Sequence, residues 1–157
     1  MTPPPIAHGG FSIERRYAAP PARVFAAWSN IETKAKWFIG PEKWTQIRRE
    51  QTFEPGGSEI LHGQFAGGPA TNYVARFHEI VENERIVYVY DMHIRGKHHS
   101  LSLSTVEIAP ADGGTRLIYT EQIAYLDGAN GAEGAAAREH GVGWHLDNLG
   151  DMLRRAA

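Results

Sequence analysis

The chain has 157 residues, enough for one ordinary domain that buries roughly two-thirds of its unfolded surface around a single core. It contains no cysteine, which excludes disulfides, thiolate metal sites and cysteine nucleophiles. Its 16 basic and 18 acidic residues leave a net charge of −2 with both signs scattered, so no field gathers nucleic acid or an anionic membrane surface, and a small neutral or weakly polar partner suits it better.

The opening M-T-P-P-P-I-A-H-G-G has neither the basic nor the apolar region of a secretory signal, and no window approaches eighteen uninterrupted apolar residues. The expectation is a soluble, cytoplasmic protein with residues 1–10 disordered and one domain over 11–157, with no membrane span. From Phe11 the chain alternates apolar and polar residues through Ile13 and Tyr17, the period of a half-buried strand. Pro20-Pro21 stops that strand and suits the entry of a helix, whose first N–H groups are unpartnered in any case. Val24, Phe25 and Trp28 follow at helical spacing, and a second short helix is predicted after Asn30, carrying Ile31, Ala35 and Phe38 to Gly40-Pro41.

Strand patterns then succeed one another over 46–54, 58–65, 72–81, 85–94, 99–108 and 115–126, separated by turn chemistry such as P-G-G (55–57), G-G-P (67–69) and D-G-G (112–114). Connections this short make an antiparallel meander, because parallel neighbours need crossovers of a dozen residues. The last segment, from about 131 to 155, is a helix in which Val142, Leu146, Leu149 and Leu153 form one apolar stripe with Met152 and His145 on its flank. Arg154 and Arg155 sit at the end where the helix dipole favours cations. An amphipathic helix and a sheet with one apolar face are expected to pack with the helix across the concave face, an α+β arrangement. Gly143 and Gly150 each cost about 1 kcal/mol relative to Ala in such a helix, and the close approach of another backbone, or a bend, is the expected compensation.

The motifs R-R-Y-A-A-P-P-A-R-V-F-A-A-W-S (15–29), K-W-F (36–38), P-G-G (55–57), F-H-E-I-V-E-N-E-R-I-V-Y-V-Y-D-M (77–92), S-T-V-E-I (104–108), G-G-T-R-L-I-Y-T-E-Q (113–122) and G-W-H-L-D-N-L (143–149) resemble the SRPBCC superfamily of START and Bet v 1-like domains. Within it they look most like the family named for the carboxyl-terminal domain of the activator of Hsp90 ATPase. The resemblance covers roughly residues 11–155 and implies the helix-grip fold. Among its functions are lipid carriage, hormone reception and polyketide cyclisation, so fold does not settle function. Eukaryotic Hsp90 activators carry a separate amino-terminal domain for which this chain has no room, and a co-chaperone role is the less favoured expectation.

A curved sheet gripping a helix leaves an apolar space of the kind that small molecules occupy. Its candidate wall residues are Trp28, Trp37, Tyr73, Tyr88, Tyr90, Tyr119 and Leu149, for each of which core packing is the simpler explanation; a buried tyrosine further needs a partner for its hydroxyl, which makes Tyr88, Tyr90 and Tyr119 the better candidates. Glu121 shares strand parity with Leu117, Tyr119 and Ile123. Facing inward, it places a carboxylate in the cavity, where an Arg or His partner is called for and a general acid or base can be built; the alternative is a strand end where Glu121 is solvated. His145 is placed to bond a ligand oxygen or carry a proton, or to be a satisfied boundary histidine.

No metal or cofactor is expected. His98 and His99 point to opposite faces of a strand, His140 and His145 diverge around a helix, and H-E-x-x-H is absent. G-x-S-x-G is absent too, Ser102 and Ser104 read as strand residues, and the glycine pairs open no helix that would cradle a phosphate. The expectation is therefore non-catalytic binding of a small hydrophobic or aromatic molecule, with a polyketide cyclase-like enzyme and an Hsp90-contacting domain as alternatives. Pairing into a homodimer stays open.

Overall fold

The computed structural model of the chain describes residues 2–155. Strand β1 (Ala7–Tyr17) is followed by helices α1 (Pro21–Ser29) and α2 (Ile31–Lys34), strands β2 (Trp44–Gln51), β3 (Ser58–Phe65), β4 (Ala70–Val81), β5 (Arg85–Ile94), β6 (Lys97–Ala111) and β7 (Gly114–Tyr125), and the long helix α3 (Gly131–Arg155). The seven strands form one antiparallel sheet in the order β1-β7-β6-β5-β4-β3-β2. The six-stranded meander expected from the turn chemistry is present, and β1 closes it by pairing with β7. Register shifts between Gln46 and Arg48, Phe77 and Glu79, and Met92 and His93 interrupt the ladders, and such bulges bend a sheet and increase its twist.

Two boundaries differ from the sequence reading. Residues 7–10, expected to be disordered, belong to β1, with Ala7 opposite Tyr125 and Gly10 opposite Gln122. Gly9 is required there: a Cβ on it would meet the Gly131 carbonyl oxygen at 2.6 Å and the Ala135 Cβ at 2.8 Å. Helix α2 ends at Lys34 instead of reaching Phe38. The Asn30 side chain caps it by accepting from the Thr33 N–H at 3.0 Å, but Lys36 and Trp37 continue in tight turns to the carbonyls of Thr33 and Lys34. That tightening lets Trp37 turn inward, where its indole N–H donates to the Ala27 carbonyl at 2.9 Å.

Helix α3 lies on the inner face of the sheet and rests chiefly on β1. The Tyr17 hydroxyl donates to the Leu146 carbonyl at 2.8 Å, and the same ring lies 3.2 Å from where a Cβ on Gly150 would stand. The close approach expected at Gly143 and Gly150 is thus to side chains, Arg15 and Tyr17, and not to another backbone. Leu146, Leu149, Met152 and Leu153 bury the helix stripe against Ile13, Tyr17, Val24, Trp28 and Leu117. Because α3 sits toward β1, it leaves the inner faces of β3, β4 and β5 to enclose a space.

Candidate functional site

That space is a cavity of about 750 Å³ between sheet, helix and the 38–44 segment. On the sheet side its wall is Leu61, Tyr73, Tyr88, Tyr90, Met92, Tyr119 and Tyr125; on the helix side it is Gly134, Ala137, Arg138, Val142 and His145; Phe38, Ile39, Pro41 and Trp44 close the third side. The helix supplies small residues to the wall, and Gly134 fits against the Tyr125 ring. Two smaller hollows, of about 450 and 320 Å³, are lined largely by exposed charged side chains such as Glu14, Glu139, Arg85 and Glu107, and lack this apolar character. Among the described residues no group of His, Asp and Glu side chains gathers as metal ligands.

One end of the cavity is built on a polar cluster. Alternation sends Thr115, Leu117, Tyr119, Glu121, Ile123 and Tyr125 inward along β7, and Ser100, Ser102 and Ser104 inward along β6. The short serines leave a trough into which longer groups reach. Glu121 is fully buried, 0 % exposed, and its carboxylate accepts from Tyr119 at 2.6 Å, Tyr90 at 2.6 Å and Ser102 at 2.8 Å. From α3, Arg138 donates to Glu121 at 3.0 Å, to the Tyr90 hydroxyl oxygen at 2.6 Å and to Ser100 at 2.9 Å. The Ser104 hydroxyl lies 3.0 Å from that of Tyr119. Burial pushes the Tyr90 and Tyr119 hydroxyls well above their ordinary range, and the Glu121 charge pushes the same way, so both stay protonated and donate. Burial alone would lower the Arg138 guanidinium, but Tyr90 and Glu121 outweigh it and hold it above its usual value. Every member of the cluster is paired within the protein, the condition under which a buried polar network is stable.

The opposite end is organised around Phe38. Its ring meets Tyr73 edge-on at 5.1 Å and His145 edge-on at 5.0 Å. Behind it lies a second buried ion pair, Lys34 to Glu59 at 2.6 Å, with the Lys34 ammonium 4.9 Å from the Phe38 ring centre and the Arg49 guanidinium 6.0 Å from it. His145 donates from Nε2 to the Ile39 carbonyl oxygen at 2.7 Å. Burial pushes its pKa down to about 4, the bond to Ile39 opposes that, and the charges of Lys34 and Arg49 add to it. A group titrating there is neutral at pH 7, which suits His145 to hydrogen bonding more than to carrying a proton.

Of the residues nominated from sequence, Tyr73, Tyr88, Tyr90, Tyr119 and His145 line the cavity. Glu121 stands immediately behind the wall, held by the tyrosines in front of it. Trp28, Trp37 and Leu149 do not reach the cavity: the two indoles pack edge-on at 4.7 Å beneath Phe38, and Leu149 is fully buried in the core. Ser102 and Ser104, read as plain strand residues, belong to the Glu121 cluster. Arg138 was missed altogether. Its signal was its position, one helical turn before Val142 and two before His145 on the stripe facing the sheet, opposite an inward carboxylate on β7.

Comparison with known proteins places these features. The family model described as activator of Hsp90 ATPase homolog 1-like protein matches residues 18–154. The chain belongs to this family. Among solved structures, an uncharacterized protein from Rhizobium leguminosarum is 38% identical to this chain, with a TM-score of 0.89 over 96% of this chain and 97% of that one. A protein from Rhizobium loti is 36% identical, with a TM-score of 0.85 over 94% and 99% of the two chains. An AHSA1-like protein from Aeromonas hydrophila, 20% identical with a TM-score of 0.71 over 94% and 93%, shares the fold. No curated protein matches significantly. Among the described residues no helix is long and apolar enough to cross a membrane.

Proposed function

We propose that this domain binds a small hydrophobic or aromatic molecule between its sheet and α3, without covalent chemistry. The observation that carries the reading is the cavity itself: about 750 Å³, walled by aromatic and aliphatic side chains, within the roughly 300–1,000 Å³ typical of small-molecule sites. Membership of a family whose fold commonly encloses hydrophobic ligands supports it. Trp44 and Trp144 stand in the wall and serve as reporters. Organic extraction of the purified protein followed by mass spectrometry is expected to recover a co-purified apolar compound. Returning that compound should quench the tryptophan emission and raise the melting temperature; a panel of hydrophobic and aromatic compounds that leaves both unchanged overturns the reading.

A second reading, a cyclase-like enzyme, is favoured by one observation, the 2.6 Å contacts of Glu121 with Tyr90 and Tyr119. The carboxylate is nevertheless engaged on both oxygens and shielded from the cavity by its donors, while His145 is a weak base already committed at Nε2. Binding is the better account. An Hsp90 partnership rests on the family description alone, and a pulldown with the host chaperone and an assay of its ATPase test it.

A further inference from the structure

The two ends of the cavity differ in what they leave unsatisfied. At the Glu121 end Glu121, Arg138, Tyr90, Tyr119 and Ser102 are already paired within the protein, and the unpartnered Tyr125 hydroxyl is shut away from accessible surface, so a ligand's polar group finds nothing to bond without breaking a buried network. Around Phe38 the situation is reversed. A carbonyl oxygen only accepts, so the 2.7 Å contact with Ile39 fixes the proton of His145 on Nε2 and leaves Nδ1 as a lone pair. Neither that Nδ1 nor the Tyr73 hydroxyl has a hydrogen-bond partner among the described residues. Neither atom is sealed off: the unpartnered polar atoms shut away from accessible surface are others, among them Nδ1 of His93 and the Tyr125 hydroxyl. Both residues line the cavity, and the rings of both pack edge-on with Phe38. The site therefore presents one acceptor that cannot donate, one hydroxyl that can do either, and an aromatic ring in contact with both residues.

We propose that the ligand is an uncharged aromatic molecule bearing a hydroxyl group, whose O–H is donated to Nδ1 of His145 and whose oxygen accepts from the Tyr73 hydroxyl, with its ring against Phe38. This rests on the ligand-binding reading and names the chemical class that the site accepts. Charge excludes a cation and desolvation weighs against an anion. An ammonium group would approach Lys34 and Arg49, whose two positive charges are opposed by Glu59 alone on that side; a carboxylate, though drawn by those charges, would face the Nδ1 lone pair and lose its hydration in an apolar space. The neutral state of His145 at pH 7 keeps the acceptor in place.

The test uses isothermal calorimetry on the full chain at pH 7 with four probes of one ring system: 2-naphthol, 2-methoxynaphthalene, 2-naphthoate and 2-naphthylmethylamine. The wild type is expected to bind 2-naphthol about tenfold more tightly than its methyl ether, the ratio that one hydrogen bond supplies, and to bind both charged probes more weakly than 2-naphthol. His145→Phe removes the acceptor; His145→Gln keeps an amide N–H for Ile39 while displacing the acceptor, and serves if the first variant does not fold. Either should bring the preference for naphthol over the ether to within about twofold. Tyr73→Phe should weaken both by a similar factor, since both oxygens accept. Equal binding of naphthol and ether by the wild type, tightest binding of a charged probe, or an undiminished preference in the folded His145 variant overturns the assignment and leaves the cavity as a ligand site. Binding of none of the four overturns both.

Discussion

Replacing Arg138 by Met keeps most of the side-chain stem and removes only the guanidinium, so it isolates the charge that faces Glu121. Glu121 is 0 % exposed and Arg138 is 15 % exposed, so solvent does not replace the lost partner. Removing one member of a buried pair costs about 3–5 kcal/mol, whereas exposed pairs such as Arg48–Glu50 contribute about 0–1 kcal/mol. Tyr90, Tyr119 and Ser102 remain as donors to the carboxylate, which sets the expectation at the lower part of that range, about 3 kcal/mol. For a domain of this size, that is a fall in melting temperature of about 6–12 °C. Urea denaturation followed by circular dichroism at pH 7 measures it. The companion variant is Arg138→Met with Glu121→Gln, in which the amide keeps the shape and removes the stranded charge. The double variant should be more stable than R138M alone, a non-additivity expected only of groups in direct contact. A loss below about 1 kcal/mol for R138M, or strict additivity in the double variant, would refute the reasoning.

His145 gives a pH dependence of definite sign. In the unfolded chain its imidazole protonates near the ordinary 6.5, and in the fold not until about 4. Between those values the unfolded state holds more protons, so this contribution to stability is complete above 6.5 and declines as the pH falls toward 4, by roughly 3 kcal/mol at most. Urea denaturation at pH 7 and at pH 4.5 should show that His145→Gln loses less stability on acidification than the wild type, and equal losses would contradict it. Gly63→Ala tests the cavity wall: a Cβ there would overlap the Trp44 indole, whose N–H donates to Thr71 at 2.9 Å. The variant should lose about 1–3 kcal/mol and shift the tryptophan emission, and an unchanged spectrum and melting temperature would show that the indole does not lie against Gly63.

Local pattern carried much of the fold. The bounds of β3, β5 and α3 follow from periodicity and turn chemistry, and the inward parity of Glu121 follows from counting in twos along β7. What pattern could not supply was the arrangement between elements. Residues 7–10 read as part of a disordered start because the neighbour that makes glycine necessary at position 9, the start of α3, lies far away in sequence. Trp28 and Trp37 have the composition of a pocket wall, but the turn after α2 folds them beneath Phe38. Arg138 looks like a solvated charge until the helix is docked on β7. The aromatic content announced a cavity; which hydroxyls it leaves free depends on pairing across strands and helix that no single segment encodes.

The pairing of β1 with β7 has a consequence for how the protein is made. Ser12 meets Thr120 at a separation of 108 residues, and every rung of that ladder waits for a partner near the far end of the chain. A nascent polypeptide leaving the ribosome therefore carries its first strand with an unsatisfied edge until β7 and α3 have emerged. The hollow can close only once β1, β7 and α3 are all free to dock on one another.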